Sequence, residues 1–215
     1  MLKLYYAPGT CALASHIALH DAGAKFEAIR LDFSRQEQRS DDFLKINPKG
    51  RVPALITDKG VLTETPAILA FIARTHPAAR LAPVDDEFEF ARLQAFNGYI
   101  SSTVHVNHAH GRRGTRWADD QSSLEDMKRK VPETMAASML LIERDFFEGP
   151  WVMGEQYTIA DPYLFTIETW LKGDYLLGTA DPVLGAALTV PLPAEAKKLR
   201  VTYASEPQAS GLQWL

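Results

Sequence analysis

The sequence predicts a small α/β layer of order βαβαββα, followed by an all-α region. Three observations carry this prediction. Strand-like and helix-like patterns alternate as far as His76. The stretch Pro77–Asp86 then holds prolines, alanines and acids with no periodicity. Beyond it the apolar residues fall on 3.6-residue stripes, and no segment reads convincingly as a strand. The boundaries are drawn at residues 1–78 for the α/β domain, 79–86 for a linker and 87–215 for the helical domain.

Each element follows from local patterns. Leu2–Tyr6 reads as a strand, and Cys11–Ala22 as a helix ended by Gly23, a natural helix stop. Phe26–Leu31 reads as a second strand and Asp41–Ile46 as a short helix. Val52–Thr57 and Val61–Thr63 read as a hairpin around the turn signal Asp58-Lys59-Gly60. Thr65 is expected to cap the next helix, with Pro66 at its first position, where a missing N–H does no harm. Ile68, Leu69, Phe71 and Ile72 supply that helix's buried stripe. Pro77 ends it, because the residue before a proline disfavours helical geometry.

In the second half, Leu93, Phe96, Ile100 and Val104 form one stripe, and Leu124, Met127, Val131, Met135, Ile142 and Phe146 another. Pro132 lies within the second, so that helix either kinks or starts there. Thr158-Ile159-Ala160-Asp161 resembles a capping box with Asp in place of Glu. It opens a helix holding Tyr163, Leu164, Ile167 and Leu171, although Pro162 removes an early helical hydrogen bond. A last helix is expected from Pro193 to Ala204.

Bulk properties narrow the function. The chain has 215 residues, 46% hydrophobic and 23% charged, as in an ordinary globular protein. No apolar run reaches the length needed to cross a bilayer. The opening Met-Leu-Lys-Leu-Tyr-Tyr reads as strand rather than secretory signal, which predicts a cytoplasmic location. A single cysteine excludes an internal disulfide and CxxC chemistry, so any partner thiol comes from another molecule. The net charge of −4 weighs against nucleic acid.

That cysteine, Cys11, follows Tyr5-Tyr6-Ala7-Pro8-Gly9-Thr10, a strand and a Pro-Gly turn. Its thiol is expected in the first helical turn, where unsatisfied N–H groups and the helix dipole favour thiolate. A buried cysteine acting as a small hydrophobe is the other reading. Three further segments are candidates to gather around it. In Asn47–Pro53, a cis Val52-Pro53 bond would turn the Val52 backbone towards an extended ligand, whereas a trans proline would simply start a strand. In Glu64-Thr65-Pro66, a helix start offers Thr65 to a carboxylate and Glu64 to an ammonium, the two charges of an α-amino acid head group; simple capping is the alternative. Arg35, with Gln36, Lys49 and Arg51 nearby, can meet a second carboxylate.

These segments together resemble the cytosolic glutathione S-transferases, and the cysteine in the first turn resembles the bacterial beta class. Leu62-Thr63-Glu64-Thr65 and the Thr158–Asp161 box add to the resemblance, which covers nearly the whole chain. It implies a thioredoxin-like N-terminal domain, an all-helical C-terminal domain contributing a second-substrate pocket, and a homodimer. It implies a cis Val52-Pro53 whose backbone pairs with the cysteinyl part of glutathione. Glu64 and Thr65 match the positions holding the γ-glutamyl end, and the glycyl carboxylate falls near Arg35, or near Gln36 after a one-residue shift. Cys11 matches the thiol facing the glutathione sulfur, and His105 a histidine lining the cleft. Where beta-class members often follow that histidine with lysine, this chain has Val106. The stretch Asp174–Pro191 matches no pattern.

The expected activity is attack by glutathione, the co-substrate, on a small electrophilic or hydrophobic second substrate. One alternative is a glutathione-dependent disulfide reductase or reductive dehalogenase using Cys11 covalently. Another is a non-catalytic binding module. The N–H groups after Thr10 lie near the sulfur, and of Tyr5 and Tyr6 at most one can help, since a strand points them to opposite faces. His105 and His108 share a helix face, but no carboxylate or cysteine lies near in sequence, and no metal is expected. Arg112, Arg113 and Arg116 sit where that helix ends and are candidates to attract an anionic acceptor.

Overall fold

The computed structural model describes residues 1–176. The predicted final helix at Pro193 and most of Asp174–Pro191 therefore lie outside the described residues. Alternation in β1 (Leu2–Tyr6) sets the layering. Leu4 is fully buried in the larger core, while Tyr5 turns to the other face against Phe43, with ring centroids 5.5 Å apart. β1 pairs in parallel with β2 (Phe26–Arg30) and antiparallel with β3 (Ala54–Thr57). β3 pairs antiparallel with β4 (Gly60–Thr63), so the sheet order is β2-β1-β3-β4. Parallel neighbours need a crossover, and α1 (Ala12–Asp21) supplies it. α1 and α3 (Thr65–Thr75) cover one face of the sheet, and α2 (Asp41–Ile46) covers the other through Phe43. The predicted βαβαββα order is the one observed.

Element ends differ from expectation for identifiable reasons. Gly23 takes a left-handed φ of 63° and its N–H, with that of Ala24, closes α1 on the His20 and Leu19 carbonyls, as anticipated. β3 starts at Ala54 rather than Val52, because Val52–Pro53 forms a cis bend instead of strand. Thr65 is the first residue of α3, not its cap; Glu64 occupies the cap position with φ 71° and makes no side-chain cap bond. Ile68, Leu69 and Ile72 are fully buried, whereas Phe71 is half-exposed.

The helical part begins with α4 (Glu87–Tyr99), capped by the Asp86 carboxylate on the N–H groups of Phe88 and Glu89. It passes through a π-helical stretch, Ile100–Val104, into α5 (His105–Arg113). Leu93, Phe96, Ile100 and Val104 are each 2% exposed or less, so the predicted stripe is the buried seam. α6 (Gln121–Leu141) runs through Pro132 rather than starting there. Val131, Met135 and Ile142 are buried, but Phe146 is 36% exposed and stacks on Tyr99.

The Thr158 box holds as expected and reaches further. One Asp161 oxygen accepts from the Thr158 N–H at 2.7 Å, and the other accepts from the Val152 N–H at 2.9 Å. α7 (Ala160–Leu176) begins at Ala160, which puts Pro162 in the first turn. N–H groups there have no intrahelical acceptor, so the proline costs no bond. α7 packs along α1, the Ile159 N–H donates to the Leu81 carbonyl at 2.9 Å, and the Tyr157 hydroxyl donates to Asp21 at 2.7 Å. Among the described residues, no helix is long and apolar enough to cross a membrane.

Candidate active site

The turn after β1 positions the cysteine. Gly9 takes a left-handed φ of 68°, and the Thr10 hydroxyl donates to the Ala7 carbonyl at 2.7 Å. This pins Cys11 at the N-cap of α1, one residue ahead of the first helical turn. The residue is 9% exposed, and its thiol donates to the Val52 carbonyl at 3.6 Å, directly before the cis Pro53. Cys11 thus belongs to the core and also lines a cavity of about 320 Å³. The residue is buried, as the second sequence reading has it, and still borders the cavity.

The electrostatics correct one expectation. Burial raises the Cys11 pKa above that of an ordinary thiol. The Thr65 hydroxyl and the Arg113 charge pull the other way without overcoming it. The helix start alone does not make this sulfur a thiolate.

One wall of the cavity comes from the α/β part. Val52 and Pro53 lie beside Cys11, and Glu64 with Thr65 brings the start of α3 to the same place. Lys49 reaches across to Glu64 as an ion pair and bonds the Thr63 hydroxyl at 2.7 Å. The Asn47 amide donates to the Arg51 carbonyl, holding the turn before Val52. Gly50 in that turn has φ 59°, and a Cβ there would come within 2.8 Å of the Arg39 guanidinium.

The opposite wall comes from α5 and α7. The π-helical turn at Ile100–Val104 shifts the helical face just before His105, which lines the cavity. Burial first, then the charges of Arg113, His108, Arg116 and Arg51, lower its pKa to about 4. His105 is therefore a neutral imidazole at pH 7. Trp170 packs between it and His108, with ring centroids 5.0 and 4.3 Å away. His108 is fixed in turn by Asp174, at 2.7 Å from Nδ1 to Oδ1. Tyr163 is 1% exposed, lines the cavity, and is electrostatically coupled to Cys11 and Thr65. Burial raises its pKa, so it remains a hydroxyl.

The structure thus brings Thr10, Cys11, Val52, Pro53, Glu64, Thr65 and His105 to one cavity. It does not bring Arg35, Gln36 or Tyr5 there. Arg35 and Gln36 are exposed on the loop before α2, and Tyr5 faces Phe43 across the sheet; Arg39 and Arg51 line the cavity instead. Tyr6 packs on His16 at 5.1 Å. Among the described residues no group of three or more His, Cys, Asp or Glu is arranged to hold a metal ion.

Comparison with known proteins agrees with this geometry. Residues 1–74 match the family described as "Glutathione S-transferase, N-terminal domain". The chain is 33% identical over 172 residues to glutathione S-transferase GstA of Escherichia coli O157:H7, covering 79% of this chain and 82% of that one. The chain belongs to the glutathione S-transferase family. A glutathione transferase homologue from Sulfitobacter, solved with bound glutathione, superposes with a TM-score of 0.80 at 42% identity, over 94% of this chain and 98% of the other. The bacterial beta-class glutathione S-transferase of Sphingomonas chungbukensis gives 0.67 at 31%, over 89% and 100%. The glutathione S-transferase fold of this chain is thus the thioredoxin-like sheet with a helical C-terminal part, and its likeness is to the beta class.

Residues that the sequence did not single out also line this family member's cavity. Tyr163, Trp170 and Trp117 look like ordinary core positions in sequence. For Tyr163 a usable signal existed, since it lies two residues past the Asp161 box and so in the first turns of a helix that must pack on α1. Arg39 carried no such signal.

Proposed function

We propose that this protein binds glutathione in the cavity and joins its sulfur to a small electrophile. The observation that supports this most is a meeting of parts. The Cys11 sulfur, the cis Val52–Pro53 backbone and the Glu64–Thr65 helix start share one cavity with His105. In this reading the cysteinyl part of glutathione lies along Val52 as an added strand. Thr65 at the start of α3 takes the γ-glutamyl carboxylate, and Glu64 exchanges Lys49 for the γ-glutamyl ammonium. Arg39 or Arg51 holds the glycyl carboxylate, in place of Arg35.

The thiol proton leaves to solvent, the sulfur forms a bond to the electrophilic carbon, and the leaving group departs with its electron pair. A free thiol is only partly ionised at pH 7, with a pKa of ~8.5. The N-terminal ends of α1 and α3 favour its anion. Each unit by which they lower that pKa is worth about 1.4 kcal/mol. Neutral His105 and the Tyr163 hydroxyl supply hydrogen-bonding groups at the reacting end. Holding both reactants in one cavity adds proximity.

The same reading divides the chain into a glutathione-binding domain at 1–78, a linker at 79–86 and a helical domain at 87–215 that contributes the acceptor pocket. It takes the protein as a cytoplasmic homodimer that works without a metal.

The test is turnover of 1-chloro-2,4-dinitrobenzene with glutathione, in wild type and in Cys11→Ala. Conjugation by the wild type is expected, and its absence despite tight glutathione binding makes the protein a binding module instead. Because burial keeps Cys11 a thiol, conjugation is expected to survive in Cys11→Ala. A variant that loses both conjugation and glutathione-dependent disulfide reduction would make Cys11 central to both.

A further inference from the structure

Four arginines line the cavity, in a chain whose net charge is −4. Arg39 and Arg51 come from the α/β side; Arg113 and Arg116 come from the end of α5 and the turn after it. Among the described residues, none of the four guanidinium groups has an ion-pair partner, whereas Lys49, which does not line the cavity, is paired with Glu64. The four charges act on one another. Burial, then Arg51, Arg113 and Arg39, hold the Arg116 guanidinium below its usual range. Such a concentration of like charges around one cavity is unfavourable until an anion neutralises part of it.

Glutathione as placed above does not balance this charge. Its γ-glutamyl end is a zwitterion, served by Thr65 and Glu64. Its glycyl carboxylate needs one cation, and its thiolate is served at most by a second. At least two arginines remain, and those on the helical side stand beside His105, Trp117 and Trp170. That wall offers aromatic surface next to positive charge.

We propose that the acceptor of this transferase is an anionic electrophile with a flat apolar body, a carboxylated aryl compound being the simplest type, paired through its carboxylate with Arg113 and Arg116. This rests on the transferase reading of the cavity and names the substrate class for it. The reacting step stays the same: sulfur–carbon bond formation, halide leaving with its electron pair, and the thiol proton passing to solvent. The carboxylate takes no part in it and serves only to hold the acceptor.

The test compares 1-chloro-2,4-dinitrobenzene with 4-chloro-3,5-dinitrobenzoate at saturating glutathione, each kcat/KM divided by that compound's uncatalysed rate with glutathione. The carboxylated acceptor is expected to be favoured by about tenfold, the equivalent of one well-placed charge-assisted contact. Arg113→Gln with Arg116→Gln should abolish that preference while both compounds still react and the circular dichroism spectrum is unchanged. Arg112→Gln, on the same helix but away from the cavity, should keep it. Equal normalised rates in the wild type, or a preference that survives the double variant, overturn the proposal. If neither compound reacts, the transferase reading fails. Calorimetric binding of the two premade glutathione conjugates then decides the acceptor question alone, with equal affinities overturning it.

Discussion

The Cys11 thiol donates to the carbonyl of Val52, 3.6 Å away across forty-one positions of sequence. The bond ties the start of α1 to the bend before Pro53 and uses the proton that a thiolate would lack. Together with burial it keeps the sulfur protonated. Alkylation by iodoacetamide is therefore expected to be slow at pH 7 and to climb without levelling off as far as pH 9. A plateau below pH 8, read by mass spectrometry against time, would show a thiolate and contradict this account.

Among the described residues, Glu64 is one of three non-glycine residues with positive φ, and the one that lines the cavity. A residue held there costs about 1–3 kcal/mol. Glu64→Gly is expected to raise stability by roughly 1 kcal/mol in urea denaturation. It is also expected to weaken glutathione binding about tenfold, the loss of one charged contact. A variant that binds glutathione as tightly as the wild type would remove Glu64 from the site.

Asp161 gathers the chain before α7, accepting from the N–H groups of both Val152 and Thr158. Asparagine can keep one of these bonds but presents an N–H where the other acceptor was. Leaving that buried donor unmatched is expected to cost about 1–3 kcal/mol. The midpoint of chemical unfolding of Asp161→Asn against wild type measures it, and a change within experimental error would refute the arrangement.

Acid stability follows from the same groups. Burial lowers both His16 and His105 to about 4, from an ordinary 6.5. Between those values the unfolded chain takes up protons that the folded protein refuses, so their contribution to stability is lost as pH falls from 6.5 to 4. Asp161 acts in the opposite sense. Burial raises it to about 6, so the folded form holds a proton that the unfolded form releases. Its contribution is present at low pH and is lost as pH rises through 6. The two histidines outweigh the one carboxyl, and stability should fall from pH 6.5 to 4.5. In Asp161→Asn the fall should be steeper. A flat profile in wild type would mean that the histidines are not neutral when folded.

Periodicity and turn chemistry were enough to read most of the fold. The β1–turn–α1 unit, the hairpin at Asp58 and the Leu93–Val104 seam depend on neighbours a few residues apart, where pattern is most informative. The site was only partly readable. Cys11, Val52, Glu64 and His105 sit in recognisable local settings, a helix start, a proline bend and a stripe edge. Arg35 was the reasonable basic residue of its loop, yet the chain takes a left-handed step at Gln36 (φ 55°) and a 3₁₀ turn at Glu37–Arg39, which presents Arg39 to the cavity instead. No period encodes such a loop. The surroundings of the thiol were hidden for a related reason, since the residues that act on it, Val52, Thr65, Arg113 and Tyr163, are distant in sequence.

The packing of α1 along α7, with Leu81 bonded to Ile159 and Asp21 to Tyr157, has a mechanical outcome. The helix that starts at the sulfur is also the helix on which the opposite wall is mounted, so the cavity cannot open and shut like a clamshell. Traffic in and out must pass over the outer rim, where Arg39, Arg51, Arg116 and Trp117 are exposed and can swing aside without disturbing the interior.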